Sequence, residues 1–174
     1  MILWISGISG SGKTTIGKYF YQKFKRKNKN TIFIDGDEFR ALFNNDLKYS
    51  LKDRDKNARR LTYFVKYLSD QKINIIIAAN LTSQKYRNWC KKNLKNYLQI
   101  YIKAKLSSLK KRDYKKLYKR AINKRIKNVV GVDLSFNLPK NVDLYLTNDD
   151  TKKSFLKKTH QIKKLIKERN LKIF

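Results

Sequence analysis

The chain is poor in the residues that build sulfur and imidazole chemistry. It has one cysteine, Cys90, in 174 residues, so no internal disulfide can form and a reducing cytoplasm is the expected setting. Its one histidine, His160, lies near the C-terminal end, which argues against a histidine-rich metal centre or a Ser-His-Asp triad. The one proline, Pro139, falls in an expected loop, and no linker, repeat or second domain is visible. Long apolar runs are also missing. The most apolar internal stretch, "INIIIAANL", is far too short to span a bilayer. The opening "MILWISGISGSGKTT" has no basic segment ahead of its apolar residues, so no secretory leader is expected and the protein reads as soluble.

Acidic residues are scarce as well, 13 against 43 Lys and Arg, for a net charge of +30. Such an excess suits a polyanion such as RNA, DNA or an acidic membrane surface. The lysines, however, are scattered through every predicted helix, with no confined block and no base-stacking motif. The charge is therefore read as compositional, compatible with anionic small substrates, and nucleic acid and membrane are not expected partners. An ATP-using RNA-binding protein is the alternative from another class.

With 41% hydrophobic and 13% aromatic residues, residues 1–174 suit a single globular domain. Short apolar runs alternate with amphipathic ones. Strands are expected at Ile2–Ser6, Thr31–Asp35, Ile73–Ala79, Leu98–Ile102 and Val142–Leu146. Helical spacing recurs at Ile16, Phe20 and Phe24, at Leu61, Val65 and Leu68, and at Phe155, Ile162 and Ile166. This is the pattern of an α/β fold with a five-stranded parallel sheet flanked by helices. The segment 103–127 is helical in propensity and dense in Lys and Arg, and is expected to form a basic lid over phosphates.

The stretch "GISGSGKTT", Gly7 to Thr15, satisfies G-x-x-x-x-G-K-[ST] between a predicted strand and a predicted helix. In such a P-loop, Gly7, Gly10 and Gly12 let the backbone curl so that successive N–H groups face a phosphate, aided by the helix N-terminus. Ser9, Ser11 and Thr15 belong to the same nucleotide-binding loop. Lys13 would reach the β- and γ-phosphates and Thr14 would offer its hydroxyl to Mg²⁺, so ATP and Mg²⁺ are the expected cofactors.

A second cluster, "FIDGDEFR", puts Asp35 and Asp37 at the C-terminal end of the second strand, where parallel sheets place ligands. One carboxylate would lie near Mg²⁺, with Asp35 the candidate, while one accepts a proton from an acceptor hydroxyl. The same residues also suit a turn in which Asp37 caps a helix. Arg40 follows as a candidate anion ligand. A third cluster, "DRDKNARR", holds Arg54, Asn57, Arg59 and Arg60 and suits oxyanions, or equally a salt-bridged helix terminus. The third strand ends in "AANLTS" without an acid, which disfavours motor and GTPase types and favours a small-molecule kinase.

Together these stretches resemble the adenylyl-sulfate (APS) kinase family. "GISGSGKTT" resembles its G-L-S-G-S-G-K-S-T, "DGDEFR" its D-G-D-N-V-R, and "DLKYSLKDRDKNARR" its D-L-G-F-S-x-x-D-R-x-x-N-x-R-R. "RDYKKLYKRA" resembles R-D-P-K-G-L-Y-K-K-A, and "VVGVDLSFNLP" resembles F-T-G-I-D-x-x-Y-E-x-P. The resemblance runs from Gly7 to about Thr147. It implies transfer of the γ-phosphoryl group of MgATP to the 3′-hydroxyl of a nucleotide with an activated 5′ group, and it allows a homodimer. It implies that Lys13, Asp35 and Asp37 serve catalysis and that Arg40, Arg54 and Asn57 hold the acceptor's charged 5′ end. Arg112 and Lys115–Lys119 would belong to the lid, with Arg112 on the ATP phosphates and Lys116 on the acceptor. Leu81 and Thr82 would line the acceptor's 5′ group.

The departures fall on the acceptor side. The resemblance sets Val129, beside Val130, and Ala41 where the family grips adenine with aromatic rings, and Leu81-Thr82-Ser83 where it has I-S-P. The family's usual segment before the first strand is missing. Losing ring contacts would forfeit stacking of about 1–3 kcal/mol per base. Cytidine diphosphoramidate (CDP-amidate), the acceptor of a relative of this family in capsule phosphoramidate decoration, is therefore the favoured expectation. Adenylyl sulfate is the alternative.

Overall fold

The computed structural model describes residues 1–113, 115–135 and 138–172. The lid position Tyr114 and the positions Phe136 and Asn137 of the "VVGVDLSFNLP" stretch lie outside the described residues.

Five parallel strands form one sheet in the order β2-β3-β1-β4-β5. They are β1 (Ile2–Ser6), β2 (Thr31–Asp35), β3 (Asn74–Ala78), β4 (Tyr97–Lys103) and β5 (Leu144–Thr147). The first two match the sequence expectation residue for residue, and the others differ by one or two residues at their ends. β1, β3 and most of β4 are buried along their length, as strands covered on both faces must be. Strand alternation sorts their side chains into two cores. Ile2, Trp4, Ile75 and Ile77 pack under helices α3 (Leu51–Asp70) and α4 (Gln84–Asn93) with Leu61, Val65 and Cys90. Leu3, Ile5, Ile76, Leu98 and Ile100 pack on the opposite face against Ile16, Phe20 and Phe24 of α1 (Lys13–Lys27). At about 25 cal/mol per Å² of apolar surface, these two layers are the main source of stability and hold the strand ends in register.

The basic segment carries two short helices, α5 (Leu106–Lys111) and α6 (Leu117–Ile122), and the fold corrects two sequence expectations. Asp113 helps to open the second of them, because its carboxylate accepts from Leu117 N at 2.7 Å and Lys119 N at 2.9 Å in the first turn of α6. Lys116, between the two helices, takes a left-handed φ of 51°. The last helix is likewise divided, into α7 (Lys152–Lys157) carrying Phe155 and α8 (Thr159–Glu168) carrying Ile162 and Ile166. Asp37 does not cap the helix after β2. Asp35 does, accepting Asp37 N at 2.9 Å at the start of α2 (Gly36–Ala41).

Candidate active site

The C-terminal ends of β1, β2 and β3 open into a cavity of about 870 Å³, lined by the phosphate loop, α2, the start of α3 and the segment 115–130. The loop follows β1 and ends at Gly12, whose φ of 101° opens α1. A Cβ there would lie 2.7 Å from Asn148 Nδ2 and 2.7 Å from the Phe155 ring, so both backbone conformation and space require glycine. Gly7, at φ 148°, is similarly confined, with the Ile102 carbonyl 2.7 Å from a would-be Cβ.

Two residues that the sequence reading missed brace this loop. Asn148, just after β5, donates from Nδ2 to the Ser11 carbonyl at 2.8 Å, a buried bond. The buried Tyr118 of α6 donates its hydroxyl to the Ser9 carbonyl at 2.7 Å. Neither belongs to the phosphate-binding motif; their only sequence signal is position, one at a strand end and one inside the "LYKRA" stretch. Arg112 does not line the cavity. Its guanidinium donates to the Asn148 and Ser108 carbonyls, which ties α5 to the loop after β5.

Lys13 directs its ammonium to the Ile8 carbonyl at 3.0 Å. Burial pushes its pKa down to about 8, while the nearby Asp37 and Asp35 pull the other way. Thr14 donates its hydroxyl to Asp35 Oδ2 at 2.8 Å. Asp35 thus uses one carboxylate oxygen to cap α2 and the other to hold Thr14. Asp37 points to the other side of the cavity and pairs with Lys115 Nζ at 2.7 Å, a bond that raises the Lys115 pKa. The sequence reading had placed Lys116 at the acceptor; it is exposed and outside the lining, and its neighbour Lys115 is inside.

Arg40 is buried, and its guanidinium donates to the Leu47 and Lys48 carbonyls at 3.3 and 3.1 Å. Arg54 donates to the carbonyls of Tyr49 and Asn128, both at 2.9 Å. Burial and then the Arg40 charge lower the Arg54 pKa. Two neighbouring guanidiniums make a local excess of positive charge suited to an anion. Both face the Tyr49 ring, with Cζ 5.0 and 5.5 Å from its centroid. Asn57 completes this wall.

Other expected residues are placed elsewhere. Ala41 is exposed and does not line the cavity, so the ring on that wall is Tyr49; Val129 and Val130 do line it. Leu81 is buried in the core under α3 and α4. The Thr82 carbonyl accepts from Arg87 at 2.7 Å, away from the lining. Arg60 is held by both oxygens of Asp46 and Arg59 faces Tyr63, so these two serve the outer surface of α3.

Among the described residues no cluster of three or more His, Cys, Asp or Glu could hold a metal ion alone. The Thr14 hydroxyl and Asp35 carboxylate are hard oxygen donors that suit Mg²⁺, which takes few protein ligands and completes its shell with phosphate and water.

The sequence pattern of the family described as adenylylsulphate kinase matches residues 1–147. The chain belongs to that family. As a member it is an ATP-dependent phosphotransferase with a hydroxyl acceptor. The kinase is 42% identical over 147 residues to the cytidine diphosphoramidate kinase of Campylobacter jejuni subsp. jejuni serotype O:2, covering 84% of this chain and 85% of that one. It is 31% identical over 164 residues to the adenylyl-sulfate kinase of Buchnera aphidicola subsp. Acyrthosiphon pisum, covering 93% and 80%. Its fold superposes with a TM-score of 0.84, at 27% identity, on the Mycobacterium tuberculosis APS kinase CysC in complex with AMPPNP and APS, covering 95% and 96% of the two chains. Among the described residues no helix is long and apolar enough to cross a membrane.

Proposed function

We propose that this kinase transfers the γ-phosphoryl group of ATP to the 3′-hydroxyl of CDP-amidate. The observation that carries the reading is the make-up of the cavity. The lining holds Lys13, Thr14 and the two aspartates, and it holds one aromatic ring, Tyr49, flanked by Arg40 and Arg54, together with the aliphatic Ile126, Val129 and Val130. One aromatic face with aliphatic neighbours suits a small pyrimidine, and two guanidiniums suit the charged 5′ diphosphoryl end. The 42% identity to a cytidine diphosphoramidate kinase supports the same acceptor.

The chemistry is in-line displacement. The acceptor 3′-oxygen loses its proton to Asp37, forms a bond to the γ-phosphorus, and the bond to the β,γ-bridging oxygen breaks to release ADP. Lys13 holds the triphosphate and stabilises the charge that gathers on the transferring group. Mg²⁺, bound at Thr14 and Asp35, would neutralise phosphate charge. Lys115 must yield its hold on Asp37 as the acceptor enters. The pair is mostly exposed, so its release costs about 1 kcal/mol or less. The segment 103–127 acts as the lid, anchored through Tyr118 to Ser9.

The test is steady-state kinetics with CDP-amidate and adenylyl sulfate as competing acceptors. CDP-amidate is expected to give the higher kcat/KM, and a clear preference for adenylyl sulfate would overturn the acceptor assignment. Asp37→Asn is expected to lose kcat without a greater metal requirement, whereas Asp35→Asn raises the Mg²⁺ concentration needed.

A further inference from the structure

Three carboxylates line the cavity, those of Asp35, Asp37 and Glu38. Two are engaged. Asp35 holds the Thr14 hydroxyl and the Asp37 amide, and Asp37 holds Lys115. Glu38 is exposed at the lining, and among the described residues its carboxylate enters no ion pair and accepts no hydrogen bond. Its backbone carbonyl is in use, by Leu42 N at 3.2 Å. In a cavity suited to phosphate groups a spare carboxylate repels anionic oxygen, so its place is beside a neutral donor of the nucleotide.

The turn that carries Glu38 is firmly seated. Gly36 packs so closely on the end of β3 that a Cβ there would lie 2.8 Å from that of Ala79. Phe39 is buried in the core, and the buried Arg40 is tied to the Leu47 and Lys48 carbonyls. Asp37 and Glu38 are the exposed pair of this turn, consecutive along α2 with a rise of about 1.5 Å between them. Asp37 takes the proton of the acceptor's 3′-hydroxyl. The donor closest to that group is the 2′-hydroxyl on the adjacent carbon, whereas the charged 5′ end belongs with Arg40 and Arg54.

We infer that Glu38 accepts a hydrogen bond from the acceptor's ribose 2′-hydroxyl and thereby restricts the kinase to ribonucleotides. The inference rests on the reading of Asp37 as the base at the 3′-hydroxyl, and it holds for a cytidine or an adenosine acceptor alike.

The experiment compares kcat/KM for CDP-amidate and 2′-deoxy-CDP-amidate in the wild type, Glu38→Ala and Glu38→Gln. Wild type is expected to prefer the ribonucleotide by about tenfold or more, the usual size of a hydrogen bond to a charged group. Glu38→Ala is expected to bring the ratio close to one by lowering turnover of the ribonucleotide alone. Glu38→Gln keeps an oxygen acceptor without the charge and should fall between, with the KM for ATP unchanged in both variants. Wild-type indifference to the 2′-hydroxyl overturns the inference and needs no variant. So does a preference that persists in Glu38→Ala. Equal losses with both acceptors would assign Glu38 to the lid cations Arg120 and Lys127, which share the lining. A loss that follows cytosine against uracil, read with UDP-amidate, would assign it to the base. Either result sinks the inference. If adenylyl sulfate proves to be the acceptor, the same comparison is made with its 2′-deoxy form. Undiminished kcat in Asp37→Asn would mark the reading of the base as the failure, and the role of Glu38 would fall with it.

Discussion

Replacing Lys13 by methionine should destroy activity and yet stabilise the empty protein. The ammonium is held where burial lowers its pKa from 10.5 to about 8. At about 1.4 kcal/mol per tenfold change in proton affinity, that represents roughly 3 kcal/mol of destabilisation. Removing the bond to the Ile8 carbonyl takes back about 1 kcal/mol, leaving a net gain of about 2. For a chain of this size the thermal midpoint should rise by roughly 4–8 °C. The gain depends on pH in a definite sense. Below about pH 8 Lys13 is charged in both folded and unfolded states, and the folded state carries the whole penalty. As pH rises from about 8 towards 10.5, the folded lysine sheds its proton while the unfolded one keeps it, so the wild type gains stability and the difference closes. Calorimetry of both proteins without nucleotide at pH 7 and pH 9.5 measures this. Saturating ATP should then reverse the ranking, since only the wild type gains about 2.7 kcal/mol at a hundredfold excess over Kd. A lower midpoint for Lys13→Met without nucleotide, or a difference that widens with pH, would refute the view that Lys13 is held desolvated for the triphosphate.

Asn148→Ala leaves the buried Ser11 carbonyl without its donor and should weaken ATP by about 1–3 kcal/mol, read as a higher KM for ATP at unchanged acceptor KM. Tyr49→Ala should lower kcat/KM for the acceptor by a stacking contribution of about 1–3 kcal/mol, with ATP affinity kept and Tyr49→Phe close to wild type, in a kinetic matrix of both substrates. Cys90 is buried, and burial pushes its thiol up to about 11; the native protein at pH 8 should resist an alkylating reagent that labels the unfolded chain, as mass spectrometry will show.

The parts of the fold that could be read from sequence are those governed by local pattern. β1 is an apolar run buried on both faces and bounded by the glycine-rich loop, and the edge strand β2 centres on the apolar Ile32–Ile34 between polar flanks. The phosphate loop is legible because its glycines answer a local backbone need. What escaped depends on contacts distant along the chain. The start of α6 within the basic segment is marked by one carboxylate, that of Asp113, accepting from two amides of its first turn, and helical propensity alone does not reveal it. Asn148 and Tyr118 reach the loop across 137 and 109 residues, through topology that no local motif encodes. Tyr49 was hidden for a related reason. The sequence directed attention to Ala41 beside Arg40, but α2 ends there and turns Ala41 outward, while the following loop carries Tyr49 back between two arginines. The acceptor wall is thus a product of the fold, whereas the ATP side is written almost wholly in one stretch.

The most direct test of transfer to a nucleotide hydroxyl is phosphorus NMR of the products formed from ATP and CDP-amidate. The account predicts one new phosphomonoester on the ribose 3′-oxygen, in amounts equal to ADP, with the phosphoramidate signal preserved. ADP accompanied only by inorganic phosphate, or phosphorylation at the amidate end, would contradict it.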